Sequence, residues 1–364
     1  VSGLFLAALS WIISKPLFQL AGHTERIQHL EVLYFNILCT GSIFYIGGQA
    51  LSAFFTGRGV TRPVMVITML GMGFNIPLDY ALINGVWIFP ELGIAGAAIA
   101  TAMSWALMVV LYSVLIFTSE YERRFAVLKG RRFDREIFRR MMKYGVPGSM
   151  QFCLDILAFT FFIFIVGRIG ALELAVTSIV ISINSLAFMP AMGFSQGVST
   201  LVGQALGRGK PDEARDAAYS AIHLLLAYIL IVDLLFILVP ESVLSLFLFS
   251  GNHGIDQYAA IMNLGRTLLH IVAAYIFLDA MYMNFVGVLK GAGDTRFVMW
   301  SIGIAGFCFM VVPLCVGVGY LNMGVVYAWV CVLAFIMSLF ALSLYRYGQG
   351  IWKKMLVVEK LPLV

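Results

Sequence analysis

Over 364 residues the chain is 61% hydrophobic and only 12% charged, where a soluble domain runs about 45–50% apolar and about 25% charged. With a mean hydropathy of +0.94 and a net charge of +5, this composition excludes an ordinary soluble fold and calls for an all-α, polytopic membrane protein. The chain opens without Met inside an apolar run, VSGLFLAALSWIISKPLF, and is expected to continue a longer protein. No stretch has the form of a cleavable signal peptide.

Ten spanning helices are predicted, at 2–19, 31–53, 63–84, 93–117, 143–166, 173–203, 217–239, 262–289, 297–319 and 323–346, from apolar length and turn residues. The turn after the second holds Gly57-Arg-Gly59-Val-Thr61-Arg62-Pro-Val64-Met65. It recurs as Gly291-Ala-Gly293-Asp-Thr295-Arg296-Phe-Val298-Met299, with six of nine positions matching at a constant offset of 234. The chain therefore contains two related halves. In both turns the glycines suit a tight helix end, Thr61 and Asp294 or Thr295 are placed to cap the next helix, and Pro63 suits a first helical position. No strand precedes either turn, so neither reads as a nucleotide loop.

The third helix holds Asn75-Ile-Pro77-Leu-Asp79-Tyr80, and Asp79, beyond its proline, reads as structural at the outer mouth. Small residues from Gly93 to Ala100 indicate close helix packing in lipid. The stretch 119–143, SEYERRFAVLKGRRFDREIFRRMMK, is strongly basic. It divides the chain into a first half (1–118), a linker (119–142), a second half (143–347) and a tail (348–364). With the linker in the cytoplasm, 20 of the 24 Lys and Arg fall on that side, the asymmetry expected of a bacterial-type inner (plasma) membrane protein with linker and C-terminus cytoplasmic. That topology accounts for the basic linker without nucleic acid; contact with anionic lipid is its expected secondary role.

Four spanning segments carry chemistry-bearing groups. Asp155 lies about two turns after Pro147, with Gln151 at i−4 and Phe159 at i+4, so amide, acid and aromatic share one face. Ser178, Ser182, Asn184 and Ser185 give the next helix a polar stripe, which lines a cavity or, more commonly, bonds between helices; Pro190 is expected to kink this helix. Asp233 sits mid-segment in ILIVDLLFIL, as a relay or as an acid bonded to a neighbour. Asp279 follows Tyr275 by four residues and precedes Tyr282 by three and Met283 by four; its counterpart in the first half is Tyr45. A carboxylate in mid-membrane costs about 2.5–3.5 kcal/mol on insertion scales. Two such acids suit a cation (Na⁺, H⁺ or an organic amine), and the alternative is pairing with a neighbouring helix, for which the spans offer no obvious Lys or Arg. His223 and His270 read as core residues. Cys39, Cys153, Cys308, Cys315 and Cys331 form no CxxC pair and read as buried packing residues. There is no nucleophile–base pair, HExxH or P-loop, which disfavours an enzyme, and no cofactor is called for.

Taken together, the repeated Gly-x-Gly-x-Thr-Arg, Asn75-Ile-Pro77-Leu-Asp79-Tyr80, Leu92-Gly93-Ile-Ala-Gly96 and Leu201-Val202-Gly203-Gln204-Ala-Leu-Gly207 resemble the multidrug and toxic compound extrusion (MATE) family, NorM-like branch. The resemblance implies twelve helices in two pseudo-symmetric lobes, of which this chain matches the third to the twelfth. It implies that Asp155, eight residues after Pro147 where the family often has Glu, and Asp279, eleven before Lys290, bind the coupling cation, Na⁺ in that branch, and contact cationic drug, with Gln151, Tyr275 and Tyr282 beside them. The expected function is export of cationic or amphipathic compounds by a monomer in the bilayer, in exchange for Na⁺ or H⁺. The alternatives are a flippase for lipid-linked precursors, which would line its cavity with Arg and Lys, and a non-transporting membrane scaffold.

Overall fold

The computed structural model describes residues 2–19, 24–86, 88–125, 127, 133–248 and 255–355. Among them the chain is helical throughout: α1 (Ser2–Gln19), α2 (Glu25–Thr56), α3 (Arg62–Asn84), α4 (Ile94–Ile116), α5 (Ser119–Phe125), α6 (Arg135–Ile169), α7 (Ala171–Gly207), α8 (Pro211–Leu238), α9 (Pro240–Leu248), α10 (Ile255–Gly291), α11 (Thr295–Ala305), α12 (Val312–Gly319) and α13 (Val325–Gly348). Every predicted span has its helix, and nine of them among the described residues are long and apolar enough to cross a membrane. The first, α1, is shorter than that test requires. The protein is a helical membrane protein.

Two compact units divide at 133/134, inside the stretch read as a linker. The second half accordingly begins earlier than expected: α6 starts at Arg135, not 143, because Asp134 caps it, its Oδ1 accepting from the N–H groups of Glu136 (2.8 Å) and Ile137 (3.1 Å). In the first unit α2 packs on α1 and α4, and α3 on α4. Phe55, Ile67, Tyr112 and Ile116 form one apolar cluster there. In the second unit the most buried helix is α10, which packs chiefly on α7, then α13 and α8.

The repeated turn folds the same way in both units. Val60 N–H donates to Phe55 O (3.0 Å) and Gly59 N–H to Thr56 O (2.9 Å); 234 residues on, Asp294 N–H donates to Leu289 O (2.8 Å) and Gly293 N–H to Lys290 O (3.0 Å). These are Schellman closures, and Gly59 and Gly293 take the left-handed φ, 73° and 89°, that the motif needs. The expected caps are absent: neither Thr61 nor Asp294 bonds the following helix through its side chain. Asp294 is held instead by Arg346, whose Nε donates to Oδ2 at 2.7 Å.

The span after this turn is not one regular helix. Between α11 and α12 the chain widens into a π turn, Gly306–Val311. It ends just before Pro313, which has no N–H to continue an α ladder. The cysteines also depart from the reading: all are free, Cys331 is buried, and Cys153 and Cys308 are exposed. In a bilayer such positions face lipid, where an apolar thiol needs no burial by protein.

Candidate functional site

The site is built on the close crossing of α7 and α10. A Cβ on Gly287 would stand 2.6 Å from the carbonyl oxygen of Ser195, and one on Gly291 would collide with that of Ser199. Only glycine lets the two backbones approach this far. Further along the same pair of helices, with α6 and α13 completing the wall, a cavity of about 230 Å³ opens inside the second unit.

Two of the five residues proposed for cation and substrate binding are the acids, and both line this cavity: Asp155 from α6 and Asp279 from α10. Tyr275 and Tyr282, on the same helix as Asp279, line it as well. Asp279 is 9% exposed, Tyr275 1% and Tyr282 3%. Gln151 is equally buried, one turn from Asp155, but is not among the lining residues. Asp233 lies on α8, outside the lining. Its Oδ1 is buried without a hydrogen-bond partner among the described residues.

The polar stripe of α7 divides. Ser178, Ser182 and Ser185 donate to the carbonyls of Leu174, Ser178 and Ile181 on their own helix, so the commoner expectation of bonds between helices is not met. A hydroxyl four residues from a free lone pair on its own helix needs no partner across the interface. Asn184 and Ser185 do face the cavity. Asn184 Oδ1, Tyr282 Oη and Gln151 Oε1 are buried and have no hydrogen-bond partner among the described residues. Unpaired buried oxygens cost free energy, and Asn184 and Tyr282 line the same cavity as the two carboxylates.

Sequence reading missed the fourth wall. Trp329, Phe335, Ile336 and Leu339 of α13 line the cavity as well. Trp329 is fixed by its indole N–H, which donates to Thr177 Oγ1 at 3.2 Å, and by an edge-to-face contact with Phe162 at 5.5 Å. The stretch from Trp329 to Leu339 reads in the sequence as an ordinary apolar span. A basic neighbour was missed too. Lys290 is half-buried at the end of α10 and interacts electrostatically with Asp155, so the spans do hold a cation near one of the acids. The predicted span stops at 289, whereas α10 extends to Gly291 and keeps Lys290 inside the helix.

The first unit holds a larger cavity, about 950 Å³, lined by α1, α2 and α4. It contains Asn36, Ser14, Lys15 and His29 but no carboxylate. Tyr45, at the position equivalent to Asp279, is 46% exposed and packs on Trp105 with ring centroids 5.2 Å apart. The two halves share the repeated turn but not the acids, so the smaller cavity is the better cation site. Among the described residues no cluster of three or more His, Cys, Asp or Glu is placed to hold a metal ion.

Known proteins agree with this architecture. The chain is 27% identical over 364 residues to a probable multidrug resistance protein NorM of Thermotoga maritima, covering 99% of this chain and 75% of that one. It is 28% identical over 316 residues to a protein of the same name from Brucella suis, covering 83% of this chain and 66% of the relative. The chain thus spans about two thirds to three quarters of these relatives. The fold aligns at a TM-score of 0.85 and 20% identity with the outward-facing conformation of a multidrug resistance MATE family transporter of the MOP superfamily, over 97% of this chain and 76% of that one. The family model described as MatE matches residues 1–81 and 147–317, over two thirds of the chain and both halves of the repeat, and the chain belongs to that family.

Proposed function

We propose that this protein is a multi-pass transporter of the plasma membrane that exports organic cations, and amphipathic compounds bearing a cation, in exchange for Na⁺ or H⁺. The observation that carries the reading is the meeting of Asp155 and Asp279 in one cavity whose lining includes no Lys or Arg. Phosphate headgroups would want the opposite lining, which favours cation export over lipid-precursor flipping. The names of the relatives, probable multidrug resistance proteins NorM, support export of several different compounds. The asymmetry of Lys and Arg supports a cytoplasmic linker and C-terminus.

The mechanism follows from electrostatics. Two carboxylates are poorly accommodated bare in a low-dielectric site, and a bound cation neutralises them. Na⁺ finds hard oxygen donors in Asp155, Asp279, Asn184 and Tyr282; H⁺ needs only the carboxylates. An organic cation competes for the same charge, its apolar body resting on Phe159, Phe188 and Trp329. The volume of about 230 Å³ is below the roughly 300–1,000 Å³ of drug-sized sites. The coupling cation fits as the site stands, and a larger substrate requires the aromatic and methionine wall to move. Binding of one cation displaces the other, and each loaded form favours a different orientation of the unit.

The test is ethidium efflux from proteoliposomes containing wild type or Asp279→Asn, driven by an imposed Na⁺ gradient and separately by a pH gradient. Wild-type efflux under at least one gradient, lost in the variant, supports the reading. Efflux that survives the substitution under both gradients would overturn it.

A further inference from the structure

The first turns of α6 are basic and amphipathic. α6 is 35 residues long, about 52 Å at 1.5 Å per residue, against roughly 30 Å of bilayer hydrocarbon. Asp155, which shares an electrostatic environment with Lys290 at the end of α10, lies 20 residues into it, so about 30 Å of helix precedes the acid. The surplus is at the N-terminal end, where the charges are.

At about 100° per residue, this segment is split lengthwise. Ile137, Phe138, Met141 and Met142 fall on one half of its circumference, and Arg135, Arg139, Arg140 and Lys143 on the other. Much of the apolar half is exposed: Ile137 is 62% exposed, Met141 59% and Met142 43%. On the basic half Arg140 is paired with Glu136 at 2.6 Å, while Arg135, Arg139 and Lys143 are exposed. A helix this charged is a poor membrane span, and one with Ile137, Met141 and Met142 exposed is poorly placed in water. The environment that satisfies both halves at once is the headgroup boundary of a bilayer, with acyl chains on one side and phosphates on the other. Gly145, Pro147 and Gly148 follow directly. Pro147 lies inside α6 and, lacking an N–H, interrupts the helical hydrogen-bond ladder between this segment and the span bearing Asp155.

We propose that residues 135–144 form an interfacial helix that binds the surface of a membrane rich in anionic phospholipid, through Ile137, Met141 and Met142 in the acyl boundary and Arg135, Arg139 and Lys143 on lipid phosphates. Charge complementarity selects the occupant, because a zwitterionic surface offers the basic face no net attraction. The segment thereby sets the angle at which α6 enters the bilayer. This inference does not depend on which compound the cavity carries.

The full chain is reconstituted in vesicles of phosphatidylcholine, with or without phosphatidylglycerol. An environment-sensitive fluorophore sits on Met141→Cys in a background whose five native cysteines are replaced. In the anionic vesicles the emission shifts to the blue and is quenched by lipid-borne quenchers. Both effects fade in high salt and are lost in Arg135→Gln/Arg139→Gln/Lys143→Gln. A label that stays in water in both vesicles, or is equally buried in both, overturns the proposal. Unmodified protein gives a second reading: trypsin cleavage after Arg135, Arg139 and Lys143 slows in the anionic vesicles. Equal rates, or protection conferred by added RNA in phosphatidylcholine, contradict a lipid surface as the partner.

Discussion

Gly287 on α10 lies against Ser195 on α7 so closely that a Cβ on the glycine would stand 2.6 Å from the serine carbonyl oxygen. The approach fixes the helix pair on which the cavity is built. Gly287→Leu should therefore separate α7 from α10 and lower the thermal midpoint of the purified protein, by an overpacking cost of about 1–3 kcal/mol. Gly319→Ala, where the added carbon meets nothing, is the matched control. Equal midpoints for the two variants would mean that the crossing is softer than its geometry indicates.

The Asp294–Arg346 pair, at 2.7 Å with side chains 9% and 21% exposed, ties the α10–α11 turn to the end of α13. Removing one partner strands the other. Asp294→Asn is expected to cost about 1–3 kcal/mol, less than a fully buried pair because Arg346 retains access to water. A double-mutant cycle with Arg346→Gln should recover part of the loss, and strict additivity would show that the two residues act independently.

The equivalent turn in the first unit is held differently. The guanidinium of Arg58 lies 4.4 Å from the ring centres of both Phe54 and Phe125, joining α2 to α5. Since arginine stacks on aromatic faces and lysine does so less well, Arg58→Lys should loosen α5 while keeping the charge. Hydrogen exchange across residues 119–125 would rise several-fold. Unchanged exchange would assign the clasp to the rings alone.

Thr177→Val would leave the Trp329 indole N–H, now bonded at 3.2 Å, buried without an acceptor, at about 1–3 kcal/mol. Because Trp329 lines the cavity, the variant should also alter the ranking of exported compounds, with large aromatic cations most affected. A competition series against ethidium would detect this. A stability loss with an unchanged ranking would confine Trp329 to packing.

The helices and the repeat were legible because lipid enforces them: a span must be long and apolar, and a tight helix end favours glycine. Gly59 and Gly293 were readable from their spacing alone. The two acids stood out because a carboxylate in an apolar run is costly. What stayed hidden was pairing across the chain. Trp329 and Leu339 look like any apolar residues until the fold sets them in one cavity with Asp155, 174 residues or more away in sequence. Lys290 looked like a turn residue, and Asp294 like a cap, because both readings use only sequence neighbours. The choice of Arg346 as Asp294's partner depends on α13 returning to the α10–α11 turn, which no local pattern encodes.

If one charge-balanced site serves both the coupling cation and the substrate, the two must compete for it. Equilibrium binding of radiolabelled tetraphenylphosphonium to the purified full chain tests it directly, with Na⁺ concentration and pH varied separately. Competition predicts that the apparent Kd rises in proportion to one of these cations, and that Asp279→Asn abolishes the dependence together with most of the binding. A Kd indifferent to both Na⁺ and H⁺, or binding undiminished in Asp279→Asn, would contradict the account.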